Sequence, residues 1–202
     1  MVVLVWINGP FGVGKTAAAF DLRRRLPGSI VCDPEHVGIG LHRMLPPRLR
    51  TNYQDLAAWR AGVHEVLDLV AREHCGPVIV PMTVTDECYF EQTVGRLRQD
   101  GHDVRHFALL ADRATVLRRI GRRTLGPAGR ADPWATGRLD DCLARLSEPV
   151  FAEHVRTDEL TAPQVADTIA RLAGLTVRPD TDGRLRAAIR RYGTTVRHIR
   201  AG

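Results

Sequence analysis

Residues 6–16 read W-I-N-G-P-F-G-V-G-K-T, and they carry the most specific structural signal in the sequence. Its last eight residues, Gly9–Thr16, fit the pattern G-x-x-x-x-G-K-[ST], and the apolar run Val2–Ile7 predicts a strand directly before them. A helix is predicted to follow over about Lys15–Leu26, because a Pro-Gly pair then ends the helical pattern. A strand, a glycine-rich loop and a helix in this order are the context in which the motif binds nucleotide phosphates.

The composition of the loop predicts how phosphates are held. Glycines let the backbone curl so that successive N–H groups point at phosphate oxygens, and we expect Lys15 to bridge the outer phosphates. Lys15 is the only lysine in a chain that otherwise uses arginine. We expect the hydroxyl of Thr16 to bind Mg²⁺, which also keeps phosphate and water ligands. The predicted ATP contacts are Gly9, Pro10, Phe11, Gly12, Val13, Gly14, Lys15 and Thr16. The alternative is that the glycines only form a turn, but a turn alone would not require the preceding strand, the lysine or the threonine.

Short apolar strands alternate with segments of helical period along the rest of the chain, which is typical of an α/β fold with a parallel sheet between helical layers. Further strands are predicted at Ser29–Cys32, Val78–Val80, Val104–Leu110 and Glu153–Thr157. Helices are predicted near residues 56–70, 89–97, 112–120, 134–147 and 161–172. Residues 35–50 contain Gly38, Gly40 and Pro46-Pro47, and they are predicted to be irregular.

Length and composition narrow the functional class. A chain of 202 residues accommodates one main domain, predicted at residues 1–177. The four scattered cysteines and the lack of a signal-peptide pattern predict a cytoplasmic protein. The net charge of +6 alone does not separate nucleic acid, anionic lipid and phosphorylated ligands. Nucleic acid is disfavoured, because aromatic residues make up only 5% of the chain and are not interleaved with the basic ones.

Phosphoryl transfer needs further cations and a group that accepts a proton. Arg118, Arg119, Arg122 and Arg123 lie on one predicted helix, where residues 119 and 123 share a face. They form either a phosphate clamp or a solvated basic surface. Asp33 follows the second strand, at the sheet edge where α/β folds bind ligands, so it is a candidate base or a helix cap. The acceptor pocket is predicted to contain Asp33, Glu35, Arg60, Met82 and Thr83, although each of these could have only a packing or capping role.

The chain resembles the tunicamycin resistance protein family, within the small P-loop kinase superfamily, over nearly its whole length. The resemblance is carried by residues 6–16 and by D-P-E at 33–35, W-R at 59–60, I-V-P-M-T at 79–83, G-R-L-R-Q at 95–99 and T-D at 157–158. It implies a fold of the nucleoside-monophosphate-kinase type with a lid at about residues 122–135, ATP binding, and protection against tunicamycin. It also implies that Arg119 and Arg123, in an L-x-R-x-x-x-R pattern, contact the adenine and phosphates.

The sequence departs from many P-loop enzymes at the end of strand three. Val80-Pro81-Met82-Thr83 has no carboxylate where those enzymes keep an aspartate that orders magnesium. Three functions therefore stay open. The first is an ATP-dependent phosphotransferase that acts on a hydroxyl of tunicamycin or a related nucleoside. The second is a protein that binds the drug without turnover, and the third is a housekeeping kinase of a nucleoside, a sugar or a coenzyme precursor.

The C-terminal residues 178–202 form a separate predicted segment. Apolar residues recur here every three or four positions among arginines, at Leu185, Ile189, Tyr192, Val196 and Ile199. This pattern predicts a basic amphipathic helix. The helix either lies on an anionic membrane surface, which the family resemblance favours, or docks on the domain.

Overall fold

The computed structural model describes residues 2–124 and 137–180. Within them, five strands form one sheet: β1 Val3–Asn8, β2 Ile30–Val31, β3 Val78–Pro81, β4 Asp103–Leu110 and β5 His154–Arg156. All neighbouring strands are parallel, and their order is β2-β3-β1-β4-β5. This arrangement confirms the predicted parallel sheet, and each predicted strand is present to within two residues at either end.

The helices connect the strands and cover both faces of the sheet. They are α1 Lys15–Arg25, α2 Glu35–Met44, α3 Ala57–Glu73, α4 Glu87–Phe90, α5 Arg96–Gln99, α6 Arg113–Thr124, α7 Leu139–Leu146 and α8 Ala162–Leu172. A π-helical turn, Glu91–Gly95, joins α4 to α5, and short 3-10 turns occupy Pro47–Leu49, Tyr53–Asp55 and Pro149–Phe151. The result is a three-layer α/β fold.

The core consists of two apolar layers that β1 separates. Leu4 and Trp6 point to the layer formed with α3 and the α4–α5 segment, while Val5 and Ile7 point to the layer formed with α1, α6 and α8. All four side chains are fully buried. Burial of a side chain of this size contributes about 1.5–3 kcal/mol, which explains why the central strand is apolar from Val3 to Ile7.

The prediction that residues 35–50 are irregular is wrong for the first ten of them, because Glu35–Met44 form α2. Gly38, one of the residues on which that prediction depends, lies within the helix and has a packing role. A Cβ atom there would lie 2.5 Å from Cγ of Tyr53, so only glycine lets the tyrosine ring rest against the helix. This contact with a residue 15 positions later outweighs the weak helix propensity of glycine.

Some predictions fall outside the described residues. These are the lid after residue 124, the start of the helix predicted at 134–147 and the terminal segment from residue 181. Up to residue 180 the chain stays attached to α1: Arg178 donates its N–H to the carbonyl of Arg25 at 2.9 Å, and Arg24 pairs with Asp180 at 2.7 Å. Among the described residues, no helix combines the length and the apolar character needed to cross a bilayer.

Candidate functional site

The glycine-rich loop lies between β1 and α1, at the carboxyl edge of the sheet. Gly9, Gly12 and Gly14 all have positive φ values. Gly9, at φ +143°, is the most constrained, because a Cβ atom there would lie 2.8 Å from the carbonyl oxygen of Leu109 in β4. This approach to a fixed backbone atom requires glycine at the start of the loop.

Lys15 is the first residue of α1, and its side chain reaches back over the loop. Its Nζ atom donates to the carbonyl oxygens of Gly9 and Pro10 at 2.8 and 3.1 Å. The ammonium group is therefore held beside the loop by its own backbone. From this position it can also donate to an anion that the loop amides hold.

The residues around the start of α1 fit a bound phosphate. Gly14 is the N-cap residue and has no side chain to occupy the first N–H groups of the helix, whose first turn also carries no acidic residue. A Cβ atom at Gly14 would meet no atom within 4 Å, so there is room for a ligand in front of the loop. An uncapped helix N-terminus next to a lysine is a favourable anion site.

Magnesium would have few protein ligands here. Thr16 is the second residue of α1, and its hydroxyl is the candidate ligand that the sequence offers. In the described parts of the chain, no cluster of three or more His, Cys, Asp or Glu side chains could hold a metal ion. Mg²⁺ generally keeps several waters and binds nucleotide phosphates together with few protein groups.

Arg119 joins α6 to the loop. One of its Nη atoms donates to the carbonyl of Val13 and to Oγ1 of Thr157, at 2.9 Å each, and the other donates to the carbonyl of Thr157. Burial lowers the pKa of this guanidinium, but arginine keeps its charge in proteins. A cation is thus fixed beside the glycine-rich loop. Arg118 and Arg122 are exposed. Arg123 belongs to α6, but its side chain lies outside the described part of the structure.

Asp33 follows β2 and precedes α2. Its Oδ1 atom accepts the N–H of Glu35 at 3.0 Å, so the carboxylate has the capping contact that the sequence left open as an alternative. Since β3 separates β2 from β1, Asp33 is about 10 Å from the loop across the sheet edge. Tyr53 shares this neighbourhood: burial raises its pKa, and the charges of Glu35 and Asp33 raise it further.

Arg60, on α3, is at the centre of a group of polar side chains that we call the Arg60 cluster. Its members are Gln54, Asp55, Arg60, Tyr89 and Gln92. The guanidinium donates to the carbonyl of Gln54 and to Oε1 of Gln92, and its carbon lies 4.4 Å from the ring centre of Tyr89. The Tyr89 hydroxyl donates to Asp55 at 3.1 Å. The π-helical turn carries Gln92, in keeping with the frequent use of such turns at functional sites.

Three of the segments that carry the family resemblance, D-P-E, W-R and I-V-P-M-T, are connected at this edge. Trp59 donates its Nε1–H to the carbonyl of Pro34 at 3.1 Å, which joins W-R to D-P-E. Thr83 donates its hydroxyl to the carbonyl of Gly9 at 2.7 Å, and its own carbonyl accepts from Gln54 at 2.7 Å. Thr83 therefore connects the loop to the Arg60 cluster. Met82, by contrast, is 5% exposed and packs in the apolar layer.

Sequence reasoning missed several site residues. Asn8 and His106 are buried polar residues whose side chains lie 3.2 Å apart behind the loop, and Thr157 receives Arg119. The Asn8 signal was available, because an amide at the end of an all-apolar strand needs partners. The Asn8–His106 contact joins residues 98 positions apart and depends on the register of β1 with β4.

We expect His106 to make stability pH-dependent. Burial lowers its pKa to about 4; the Ala152 carbonyl opposes this shift, while the charges of Arg98 and His154 add to it. Between about pH 6.5 and 4 the unfolded chain binds more protons, so the stabilisation is complete above pH 6.5 and is lost as the pH falls through 4. The free energy of unfolding that is lost over this pH range is about 3 kcal/mol.

The measurement is the free energy of unfolding in urea from pH 7 to pH 4. The control is His106→Gln, which removes the titrating group, so its loss of stability over this range should be smaller by about 3 kcal/mol. Curves that stay parallel for the two proteins would contradict the assignment to His106.

Comparisons with known proteins identify the family and support the fold. The family described as AAA domain matches residues 4–149. The structure of a tunicamycin resistance protein from Deinococcus radiodurans is 34% identical, with a TM-score of 0.73, and the match covers 87% of this chain and 98% of that one. No curated protein matches this chain.

More distant structures share the fold. A sugar kinase from Janibacter is 17% identical with a TM-score of 0.62, covering 87% of this chain and 96% of that one. A gluconokinase from Sinorhizobium meliloti is also 17% identical, with a TM-score of 0.57, covering 84% of this chain and 93% of that one. At this identity the likeness supports the fold and not the substrate.

Proposed function

The chain belongs to the tunicamycin resistance protein family of P-loop kinase-like proteins, and from this premise we propose that it transfers the γ-phosphoryl group of ATP to a hydroxyl of tunicamycin or a related nucleoside. The observation that carries the proposal is the convergence of two sites at one sheet edge. The glycine-rich loop offers amides and an ammonium group for phosphates, and the Arg60 cluster, joined to it through Thr83, offers polar groups for an acceptor.

The residues divide the chemistry among them. The loop amides and Lys15 hold the outer phosphates and stabilise the charge on the group being transferred, with Thr16 as the ligand of Mg²⁺. Arg119, which donates to the carbonyl of Val13, contributes a fixed positive charge beside the loop. Arg123 is proposed to contribute a second positive charge. Asp33 accepts the proton of the attacking hydroxyl as the new O–P bond forms and ADP leaves.

The acceptor is proposed to bind between α2 and the Arg60 cluster. Asp33 and Glu35 begin α2, and the nearby Tyr53 ring is packed on Gly38. Arg60 and Thr83 line the opposite side of the same edge. Carboxylate, amide and guanidinium groups together suit a nucleoside that carries several hydroxyls and a polar base.

The test is direct detection of the product. The protein incubated with Mg-ATP and tunicamycin should yield drug that is heavier by one phosphoryl group, together with an equal amount of ADP. The matched control is Lys15→Ala, which should form both about 10²–10³-fold more slowly. Tunicamycin is proposed as the acceptor because the chain is similar to a tunicamycin resistance protein. A panel of nucleosides, sugars and coenzyme precursors in the same assay would therefore reveal a housekeeping kinase instead.

A second candidate function is sequestration of the drug with ATP as a gating ligand. Its support is that β3 ends at Pro81 and is followed by Met82 and Thr83, so no carboxylate stands there to order magnesium, and the Thr83 hydroxyl donates to the loop. Saturable binding of tunicamycin that depends on ATP but leaves the mass of the drug unchanged would favour this function over the first.

A further inference from the structure

A buried hydrogen-bond network lies directly behind the glycine-rich loop. It consists of the Asn8 amide at the end of β1, the His106 imidazole in β4 and the backbone of Val84 and Ala152. Asn8 is fully buried and His106 is 3% exposed. The ring of His106 packs edge-on against Phe90, with centroids 4.7 Å apart, and also lies near Phe151.

The orientation of the Asn8 amide follows from its partners. Two backbone N–H groups, of Gly9 and Val84, point at its Oδ1 atom from 2.8 and 3.0 Å. Only an oxygen can accept both. The Nδ2 atom therefore faces the carbonyl of Val84, at 2.8 Å, and Nε2 of His106, at 3.2 Å, and it donates one hydrogen to each.

This orientation fixes the tautomer of His106. Because Nε2 accepts from Asn8, it carries no proton, so the proton of the neutral ring is on Nδ1. That nitrogen lies 3.1 Å from the carbonyl of Ala152, to which it donates. Asn8, His106 and Ala152 are thus joined by consecutive hydrogen bonds, in each of which the donor and the acceptor are fixed.

This series of hydrogen bonds ends at Gly9, the first residue of the loop. The N–H of Gly9 is held by Asn8, and the carbonyl of Gly9 accepts from Lys15 and from the Thr83 hydroxyl, at 2.8 and 2.7 Å. The same amide also holds Val84, next to Thr83. A turn of the Asn8 amide would release the loop and the acceptor-side segment together.

We infer that His106 is a positioning residue: through Asn8, its Nδ1–H tautomer fixes the peptide at Gly9 and so sets the phosphate-binding geometry of the loop. It does not touch the nucleotide. The inference rests on the proposed function only in that Mg-ATP is the ligand of the loop, and it does not require turnover. Displacements of about 1 Å at a reacting group can reduce rates about 100-fold, so a remote residue can have a large effect.

Two substitutions separate positioning from packing. His106→Gln can place an oxygen where Nε2 lies and keep an acceptor for Asn8, whereas His106→Asn can reach only the Nδ1 side and keeps the contact with Ala152. Both are smaller polar side chains in the same apolar setting, so both should lose similar stability. Calorimetry on the full chain should show Mg-ATP binding about tenfold weaker in His106→Asn and within about twofold of wild type in His106→Gln.

The steady-state constants add a second readout where turnover occurs. The KM for Mg-ATP should rise in His106→Asn, while the KM for the acceptor changes less. Equal weakening of Mg-ATP binding in both variants would assign His106 to packing and overturn the inference. So would unchanged binding in both, or a wild-type chain that does not bind Mg-ATP. A wild-type chain that binds Mg-ATP but forms no phosphorylated product contradicts the proposed function alone.

A spectroscopic measurement on wild-type protein does not depend on whether the variants fold. Long-range ¹H–¹⁵N correlation spectra distinguish the two neutral tautomers of histidine. At pH 7 the ring of His106 should show a protonated Nδ1 and an unprotonated Nε2. A protonated Nε2 would mean that His106 cannot accept from Asn8, and it would overturn the inference.

Discussion

Lys15→Ala is expected to reduce the rate of phosphoryl transfer at saturating acceptor by about 10²–10³-fold, the usual cost of removing one preorganised charge donor. The ammonium group lies 2.8 Å from the carbonyl of Gly9, and the proposed mechanism assigns it to the charge that develops on the transferred group. The measurement is ADP release with Mg-ATP and tunicamycin.

Two controls define the Lys15 result. Arg23→Ala removes an exposed positive charge from the same helix, away from the loop, and should leave the rate unchanged. Lys15→Arg should not restore activity, because a planar guanidinium does not replace a compact ammonium in a crowded loop. Full activity in Lys15→Ala would mean that the transferred phosphoryl group is bound elsewhere.

Asp33→Asn is expected to lower kcat by about 10²–10⁴-fold, the range for loss of a general base. Asparagine retains an oxygen that can accept the N–H of Glu35, at 3.0 Å in the present structure, so α2 should begin as before. Binding of Mg-ATP should be unchanged, because Asp33 lies across β3 from the loop. The variant therefore separates chemistry from nucleotide binding.

The control for Asp33 is Glu65→Gln, which neutralises an exposed carboxylate on α3. Comparable kcat values for Asp33→Asn and wild type would leave Asp33 with its capping role only. A stability loss in Asp33→Asn above about 1 kcal/mol would show that the charge itself, and not the acceptor oxygen, supports the start of α2.

The sheet and the glycine-rich loop could be predicted because their signals are local. Val2–Ile7 is apolar at every position, and the loop motif begins at Gly9, after one further residue. The α2 helix was missed because local propensity is weak at Gly38 and the compensating contact comes from Tyr53. Propensity rules cannot represent a ring that packs on a helix from another segment.

The candidate site likewise contains residues that could be predicted from the sequence and residues that could not. Gly9–Thr16 form one continuous stretch, so their arrangement could be predicted from spacing. Arg60 could be named as a candidate, but its partners Gln54 and Gln92 come from different segments. The contact between Asn8 and His106 depends on strand register, which composition and periodicity do not specify.

The proposed function requires the loop Gly9–Thr16 to bind ligands through their phosphates, which calorimetry of Mg-ATP and of adenosine on the full chain can measure. Each charge-assisted hydrogen bond contributes about 1.5–3 kcal/mol, so we expect Mg-ATP to bind at least about 100-fold more tightly than adenosine. Lys15→Ala should remove most of this difference. Equal affinities of the wild-type chain for the two ligands, or no binding of Mg-ATP, would mean that the loop is not a phosphate-binding site.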